Sequence, residues 1–190
     1  MANKQDATHH IFNNHLEDFE HFRGTIISSE QIKDYDFKKQ KIAIIGIDQH
    51  VVSELHHLCQ VADNIMVYQI KPQFVLPRTE RLLNKLIQHP LIAKNRRLFS
   101  NRIKSILAIR FLEDQVPNHW LRHLLSPNTA IQNKTFLKSD HYYAALQQPN
   151  CILNTWPIAK IQSNSITALD EHTFECDVIV RSESNQPKEK

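Results

Sequence analysis

The sequence contains very little glycine. Its 190 residues include two glycines, Gly24 and Gly46, where average usage of roughly 7% would give about 13. Proteins that bind dinucleotides generally place several glycines where the backbone comes close to the phosphates. The shortage therefore disfavours a complete glycine-rich phosphate loop. Gly46 alone stands directly after a short apolar run, where such a loop would begin.

Cysteines, long apolar runs and net charge are also scarce. The three cysteines Cys59, Cys151 and Cys176 are far apart and show no CxxC spacing, so we expect a reduced, cytoplasmic setting. No run approaches the roughly 20 apolar residues that span a bilayer, and the polar N-terminus lacks the apolar core of a secretion signal. The net charge is +3 and the basic residues are dispersed. We therefore expect neither a membrane nor a nucleic-acid partner.

The chain divides into one folded domain and two polar ends. Residues 1–18 are rich in His and Asn, and residues 181–190 have the composition of a disordered tail. We predict a single domain over residues 19–180, a length that suits one core. Within this domain, residues 78–127 are basic and mainly helical in pattern, which predicts a helical insertion.

The order of apolar segments predicts an α/β fold. Residues 41–46 read as a buried strand, residues 49–62 have helical spacing, and residues 64–70 read as a second strand. A strand, helix and strand within about 30 residues form a βαβ unit. From Cys151 onward the runs are short and β-rich, which predicts a meander whose final run, 177–180, returns to the main sheet. The prediction is a Rossmann-like parallel-sheet core with a helical insertion and a β-rich C-terminal meander.

Two segments around this unit resemble a known family. Residues 22–32 read FRGTIISSEQI, and KIAIIG is followed by the turn Gly46-Ile47-Asp48-Gln49-His50-Val51. The order resembles the flavin-dependent monooxygenases that include the Baeyer–Villiger enzymes, in which FxGxxxHxxxW precedes a strand and a GxGxSA-like turn. The matching positions are Phe22, Gly24 and Gly46, and the departures are Ser28, Ile32, Asp48 and Val51.

Further segments continue the resemblance in the same order. Ile70 stands where the family has the arginine that grips the 2′-phosphate of NADPH, and its neighbour Lys71 is a partial substitute without the planar fork of arginine. Arg78 ends a Leu-Pro-Arg that matches the family. Lys134 matches a lysine that helps to hold NADPH, and Thr135 stands where Baeyer–Villiger members carry their catalytic arginine.

The resemblance implies the NADPH-binding domain of such an enzyme, in truncated and degenerate form. It implies no catalytic residue and no metal site, and cofactor-binding positions at Gly46, Lys71, Arg78 and Lys134. The FAD-binding half of the family is not in this sequence, so we expect no FAD from this chain alone. No cofactor is expected to be retained, and NADPH is the candidate if one is.

Asp48 has two interpretations. It stands where the family's second glycine lets backbone amides approach the diphosphate, so its side chain and negative charge would oppose that ligand. It is also well placed to cap the following helix, where its carboxylate would substitute for the phosphate. The second interpretation requires no ligand, and we favour it over a catalytic role.

Three hypotheses of function follow. The leading one is a truncated, non-catalytic homologue that acts as an interaction or regulatory module, with a protein partner or self-association at the face left by the FAD domain. The alternative is an NADPH-binding subunit that uses a flavin domain from another chain. A metal-binding role for His119 and His123 is weaker, because no third ligand at a useful spacing completes the site, and both are expected to face solvent.

Overall fold

The computed structural model describes residues 18–79, 101–128, 130 and 134–182. The helices are α1 (Gln49–Val61), α2 (Asn101–Gln115), α3 (His119–Leu125) and α4 (Tyr142–Ala145), with 3-10 helices at Asp18–His21 and Ser29–Asp34. The strands are β1 (Thr25–Ser28), β2 (Lys41–Ile45), β3 (Asn64–Tyr68), β4 (Phe74–Leu76), β5 (Phe136–Lys138), β6 (Cys151–Asn154), β7 (Ile158–Ile161), β8 (Ser165–Ala168), β9 (Thr173–Glu175) and β10 (Val178–Arg181).

Five strands form the main sheet. Their order is β1-β10-β2-β3-β6 and every neighbouring pair is parallel. The last strand of the sheet therefore lies between the first and the second. Because parallel strands end at the same edge, the segments that follow β1, β2, β3 and β10 meet at the carboxyl edge of the sheet. The predicted α/β class with a parallel core is confirmed.

The two faces of the sheet are buried by different layers. Ile42, Ile44 and Val67 pack on one face with the apolar side of α1. Ala43 and Met66 point to the other face, where the antiparallel meander β7-β8-β9 covers them. This alternation follows from the two-residue period of a strand, and burial of each such side chain contributes about 1.5–3 kcal/mol. It explains why β2 and β3 are apolar at nearly every position.

A second, two-stranded parallel sheet stands beside the main one. β4 pairs with β5 in the register Phe74↔Phe136 to Leu76↔Lys138. The apolar side of α2, with Leu107 and Ala108, packs against these strands. The helices α2 and α3 lie within residues 78–127, where the sequence predicts a helical insertion, and residues 80–100 of that range lie outside the described residues.

Three details of the sequence prediction need correction. The run at Cys151 was assigned to the meander, but β6 is an edge strand of the main sheet. The assignment to the meander followed from the short length of the run and the polar turn after it, and at the sheet edge Ile152 is exposed. The C-terminal tail was predicted to begin at residue 181, but Arg181 ends β10 and Ser182 is fully buried. The predicted N-terminal tail lies outside the described residues except for Asp18.

Candidate functional site

The turn after β2 is built on a glycine in the left-handed region. Gly46 has a φ of 78°, a conformation that side-chain-bearing residues adopt at a cost of about 1–2 kcal/mol. Its N–H donates to the carbonyl of Tyr68 at 2.9 Å, which ties the turn to the neighbouring strand β3. The chain then enters α1 at the carboxyl edge of the sheet. This is the place where a Rossmann-type domain holds a diphosphate.

Asp48 occupies the N-terminus of α1 with its own carboxylate. Oδ1 accepts hydrogen bonds from the backbone N–H groups of His50 and Val51, at 2.9 and 3.0 Å. These are donors that a helix start leaves without an intrahelical partner and that a bound phosphate would use. The negative charge also lies at the positive end of the helix dipole. The predicted N-cap is therefore confirmed, and the helix terminus is already satisfied by the chain itself.

A buried serine holds the second oxygen of that carboxylate. Ser29 Oγ donates to Asp48 Oδ2 at 2.5 Å, and Ser29 is 1% exposed. Ser29 follows β1, where Ser28 starts a 3-10 helix by a capping box with Gln31. This short helix brings the serine hydroxyl across the sheet edge to Asp48. The sequence carried no signal for this contact, because it joins two segments that are separated by β10 in space.

The Phe-x-Gly match has a steric explanation. A Cβ at Gly24 would clash with the carbonyl oxygen of Asp177 and would lie 2.6 Å from the Phe22 ring. Glycine is needed because the backbone that enters β1 passes directly against the residue before β10, where Thr25 N–H donates to Asp177 O at 3.0 Å. Phe22 itself is buried under the sheet. The pair therefore fixes the packing of β1 on β10.

Arg78 lies at the same end of the structure as the α1 terminus. The side-chain amide of Gln49 bonds both the N–H and the C=O of Lys138 at 2.9 Å, which ties β5 to the start of α1. Lys138 pairs with Leu76 of β4, two residues before Arg78. Asp140 accepts from the backbone N–H groups of Arg78 and Thr79. The Arg78 side chain is exposed at this edge.

Lys134 and Lys71 lie elsewhere on the surface. Lys134 stands before β5, at the opposite end of the small sheet from Arg78, and its Nζ is 5.6 Å from the centre of the Phe74 ring. Thr135 beside it is exposed. Lys71 is exposed in the segment after β3. Among the described contacts, none brings the three predicted cations Lys71, Arg78 and Lys134 together, so their joint role stays a prediction.

A buried hydrogen bond behind the turn was missed by the sequence analysis. The Tyr142 hydroxyl donates to Gln69 Oε1 at 2.6 Å, and both residues are buried. Burial is the main reason that the pKa of Tyr142 lies well above its ordinary value. Electrostatic interactions with Tyr143 and Cys151 raise this pKa further. The rings of Tyr142 and Tyr143 both belong to the core. The partner Gln69 gave no signal, because it is remote in sequence.

The histidines do not form a metal centre in the described part of the chain. No group of three or more His, Cys, Asp or Glu side chains is positioned to hold a metal ion there. His119 and His123 are exposed, as predicted. His56 is half-buried and stacks on His141 with ring centroids 5.1 Å apart, whereas His57 is exposed. Stacked rings are poorly oriented for a shared ion, so these side chains are better explained by packing.

The parallel sheet and the glycine turn at its carboxyl edge define a Rossmann-type α/β domain, a fold in which nucleotides commonly bind at that edge. Comparison with known proteins finds relatives that are similar in sequence. The chain is 26% identical over 188 residues to a Baeyer-Villiger monooxygenase of Pseudomonas aeruginosa, covering 87% of this chain and 36% of that protein. It is 30% identical over 173 residues to the FAD-binding monooxygenase ktnD of Aspergillus niger, covering 77% and 28%. No family profile matches the chain.

The solved structures agree with this relation. An oxidized steroid monooxygenase bound to NADP matches with a TM-score of 0.68, over 86% of this chain and 42% of that one, at 14% identity. At that identity the likeness shows the fold alone. The resemblance to flavin-dependent monooxygenases is therefore confirmed by the sequence relatives, and this chain spans about a third of their length. No described helix is long and apolar enough to cross a membrane.

Proposed function

We propose that this chain keeps the architecture of the NADPH-binding part of a flavin monooxygenase but acts as a non-catalytic module. The observation that supports this proposal is the carboxylate of Asp48 on the amides of His50 and Val51. A diphosphate at this turn would need the same donors. The chain therefore stabilises its own helix terminus in place of a ligand.

The negative charge of Asp48 opposes the binding of a diphosphate at this turn. Two unit charges 4 Å apart repel by about 1 kcal/mol in water and about 4 kcal/mol at an effective dielectric of 20. Since 1.4 kcal/mol is tenfold in affinity, the carboxylate weakens a diphosphate ligand by up to about a thousandfold. Moving Asp48 aside also breaks the hydrogen bond from buried Ser29. Loss of the hydrogen bond from Ser29 thus adds to the free-energy cost of binding a diphosphate.

Independent monooxygenase activity would also need a cationic side chain, and the matching position in this chain does not carry one. The resemblance places the catalytic arginine of Baeyer–Villiger enzymes at Thr135, a neutral and exposed side chain. Stabilisation of a peroxide anion requires a positively charged or strongly donating group at that position. The flavin itself supplies the redox chemistry and the protein only positions it. An interaction or regulatory role therefore fits these residues better than catalysis, and we place it in the cytoplasm.

Isothermal titration with NADPH tests this proposal. The wild-type chain is expected to give no heat at millimolar NADPH, because Asp48 holds the helix terminus. Asp48→Asn keeps a capping oxygen without the charge, and Asp48→Gly removes both the charge and the side chain. Binding that appears in Asp48→Gly and, more weakly, in Asp48→Asn would support occupation of the site by the carboxylate. Submillimolar binding by the wild-type chain would contradict the proposal.

The alternative function is an NADPH-binding component that works with a flavin domain. The exposed Arg78 favours it, because Gln49 at the start of α1 is bonded to Lys138, which pairs with Leu76 two residues before Arg78. In that case Lys134→Ala and Arg78→Ala would each weaken a measurable wild-type affinity. Lys160→Ala is the matched control, since Lys160 is an exposed lysine of the meander. Equal affinities in all variants would contradict this alternative.

We also propose that this chain binds a protein partner or associates with a second copy of itself. Trp156 and Leu169 are both more than half exposed, and the bond from Leu169 N–H to Pro157 O at 2.8 Å holds their two loops together. Sedimentation velocity at rising concentration tests association between copies of the chain. Association that Trp156→Ser abolishes would support it, and a monomer at every concentration would contradict self-association.

A further inference from the structure

Two cysteines that are far apart in the sequence meet in the fold. Cys59 lies near the end of α1, and Cys151 is the first residue of β6. Their thiols lie close enough for each to change the pKa of the other. Cys59 Sγ also donates to the carbonyl of Ala145 at 3.7 Å. The two thiols therefore lie at one junction, between the end of α1 and the start of β6.

The backbone around these thiols is already held in place. The side-chain amide of Asn150 donates to Cys59 O at 3.0 Å and to Ala62 O at 3.2 Å. The residue next to Cys151 is thus fixed against the end of α1, and Cys151 N–H is bound to Gln148 O. A disulfide requires Cα atoms within about 7 Å and Cβ atoms that face each other. The Asn150 side chain therefore holds the two residues to be joined at one junction between α1 and β6.

The two thiols differ in exposure and in acidity. Cys59 is half-buried, whereas Cys151 is buried. The hydrogen bond from Cys151 lowers the pKa of Cys59 below its ordinary value, although the partial burial of Cys59 opposes this effect. The same contact, followed by burial, raises the pKa of Cys151. Since the thiolate is the nucleophile, Cys59 is the thiol that solvent-borne reagents reach and that reacts first.

We propose that Cys59 and Cys151 are a thiol–disulfide pair that reacts with low-molecular-weight disulfides such as oxidised glutathione. The Cys59 thiolate attacks one sulfur of the reagent, whose S–S bond breaks, and one glutathione leaves as a thiolate that takes a proton from solvent. Cys151 then loses its proton and attacks Cys59 Sγ, and the second glutathione leaves. Two protein thiols are oxidised to one disulfide, and one glutathione disulfide is reduced to two thiols.

The disulfide would act on the edge of the sheet. It would link the C-terminal end of α1 to β6, the strand that ends the sheet on this side. Asp48 caps the opposite end of α1, so this inference is independent of the proposed function. An increase in the temperature of unfolding is expected on oxidation, because the cross-link restricts the unfolded chain.

Peptide mapping by mass spectrometry tests the pair. After incubation of the folded protein with oxidised glutathione, we expect a cross-linked peptide that joins Cys59 and Cys151. In Cys151→Ala, the reaction is expected to stop at a glutathione adduct on Cys59. In Cys59→Ser, we expect neither a cross-link nor an adduct on Cys151. Cys176→Ser is the control, because Cys176 is buried outside this pair, and it should behave as the wild type.

Alkylation kinetics give a second readout that does not depend on the cross-link. In the wild type, the pH at which the reaction of Cys59 with iodoacetamide reaches half its maximal rate should lie below that of a cysteine in an unstructured reference peptide. In Cys151→Ala that midpoint should rise, since the donor to the thiolate is gone. Unmodified Cys59 after prolonged incubation, or an unchanged midpoint in a folded Cys151→Ala, would overturn the proposal.

Discussion

At the scale of single residues, Asp48 stabilises the helix that it begins. Its carboxylate accepts from two backbone amides and from Ser29. Replacement of a good N-cap by alanine costs about 0.5–2 kcal/mol, whereas asparagine caps nearly as well as aspartate. The residue therefore has a structural role that can be measured without any ligand.

Asp48→Ala should lower the free energy of unfolding by about 1–2 kcal/mol, and Asp48→Asn by less. The reason is that alanine leaves the amides of His50 and Val51 without an acceptor, whereas asparagine keeps one. Urea unfolding followed by circular dichroism measures both. Equal midpoints for the wild type and Asp48→Ala would show that the cap contributes nothing.

The residues of this site were predictable to different degrees. Asp48 could be identified as a cap because it directly precedes the apolar spacing of α1, which is a local signal. Its partner Ser29 could not, since the hydrogen bond joins segments on either side of β10. The proposed pairing of Cys59 with Cys151 gave no local signal either, because the two residues are far apart in the sequence.

At the scale of elements, Gln49 joins two parts of the fold. Its side-chain amide donates to and accepts from the backbone of Lys138, as a neighbouring strand would. β5 is thus bonded to β4 on one side and to the start of α1 on the other. The Gln49 side chain thus helps to hold the small sheet at the α1 edge, together with Val75 and Leu137, which are packed in the main core.

Gln49→Ala should speed hydrogen exchange at the Lys138 amide by about fivefold, the factor that corresponds to about 1 kcal/mol for one hydrogen bond. Exchange measured by NMR in the native state gives this rate. Gln60→Ala is the control, because Gln60 lies on the same helix and its exposed side chain contacts His56. A similar rate in both variants would mean that β5 is held by β4 and α2 alone.

Short elements were the hardest to predict. β1, β4 and β5 have three or four residues each, too few for a periodic pattern, and prolines beside β4 favour a loop. β2, α1 and β3 were predicted close to their observed bounds, because an apolar run and a helical stripe are strong local signals. The edge position of β6 could not be read, since exposure depends on the neighbouring strand.

At the scale of the whole molecule, stability depends on buried groups that stay protonated. Burial raises the pKa of Tyr143. Burial is also the main reason that the pKa of Cys176 is raised to about 12, and the charge of Asp177 is a smaller contribution. In the unfolded chain a cysteine titrates near 8.5 and a tyrosine near 10, both values being about the ordinary ones. The unfolded state therefore loses protons first as the pH rises, and stability falls above the unfolded pKa.

The free energy of unfolding should decrease between pH 8.5 and pH 10.5, with Cys176 contributing on the order of 2 kcal/mol, since each pH unit between the two pKa values corresponds to about 1.4 kcal/mol. Urea midpoints at a series of pH values measure the slope. Cys176→Ala should lose less stability over the same interval. An identical slope in that variant would rule out the buried thiol as a source of the effect.

The overall architecture was predictable from segment order, but the strand order was not. Alternating strands and helices predict a parallel core, and the comparisons with monooxygenases confirm that class. The insertion of β10 between β1 and β2 depends on pairing between opposite ends of the described chain, which leaves no local trace. That insertion is what brings Ser29 and Asp48 to one edge.

A crystal soaked in NADP tests the central claim most directly. The account predicts that the Asp48 carboxylate stays on the amides of His50 and Val51, with no diphosphate over Gly46. A diphosphate seated on those amides, with Asp48 turned away from Ser29, would contradict it.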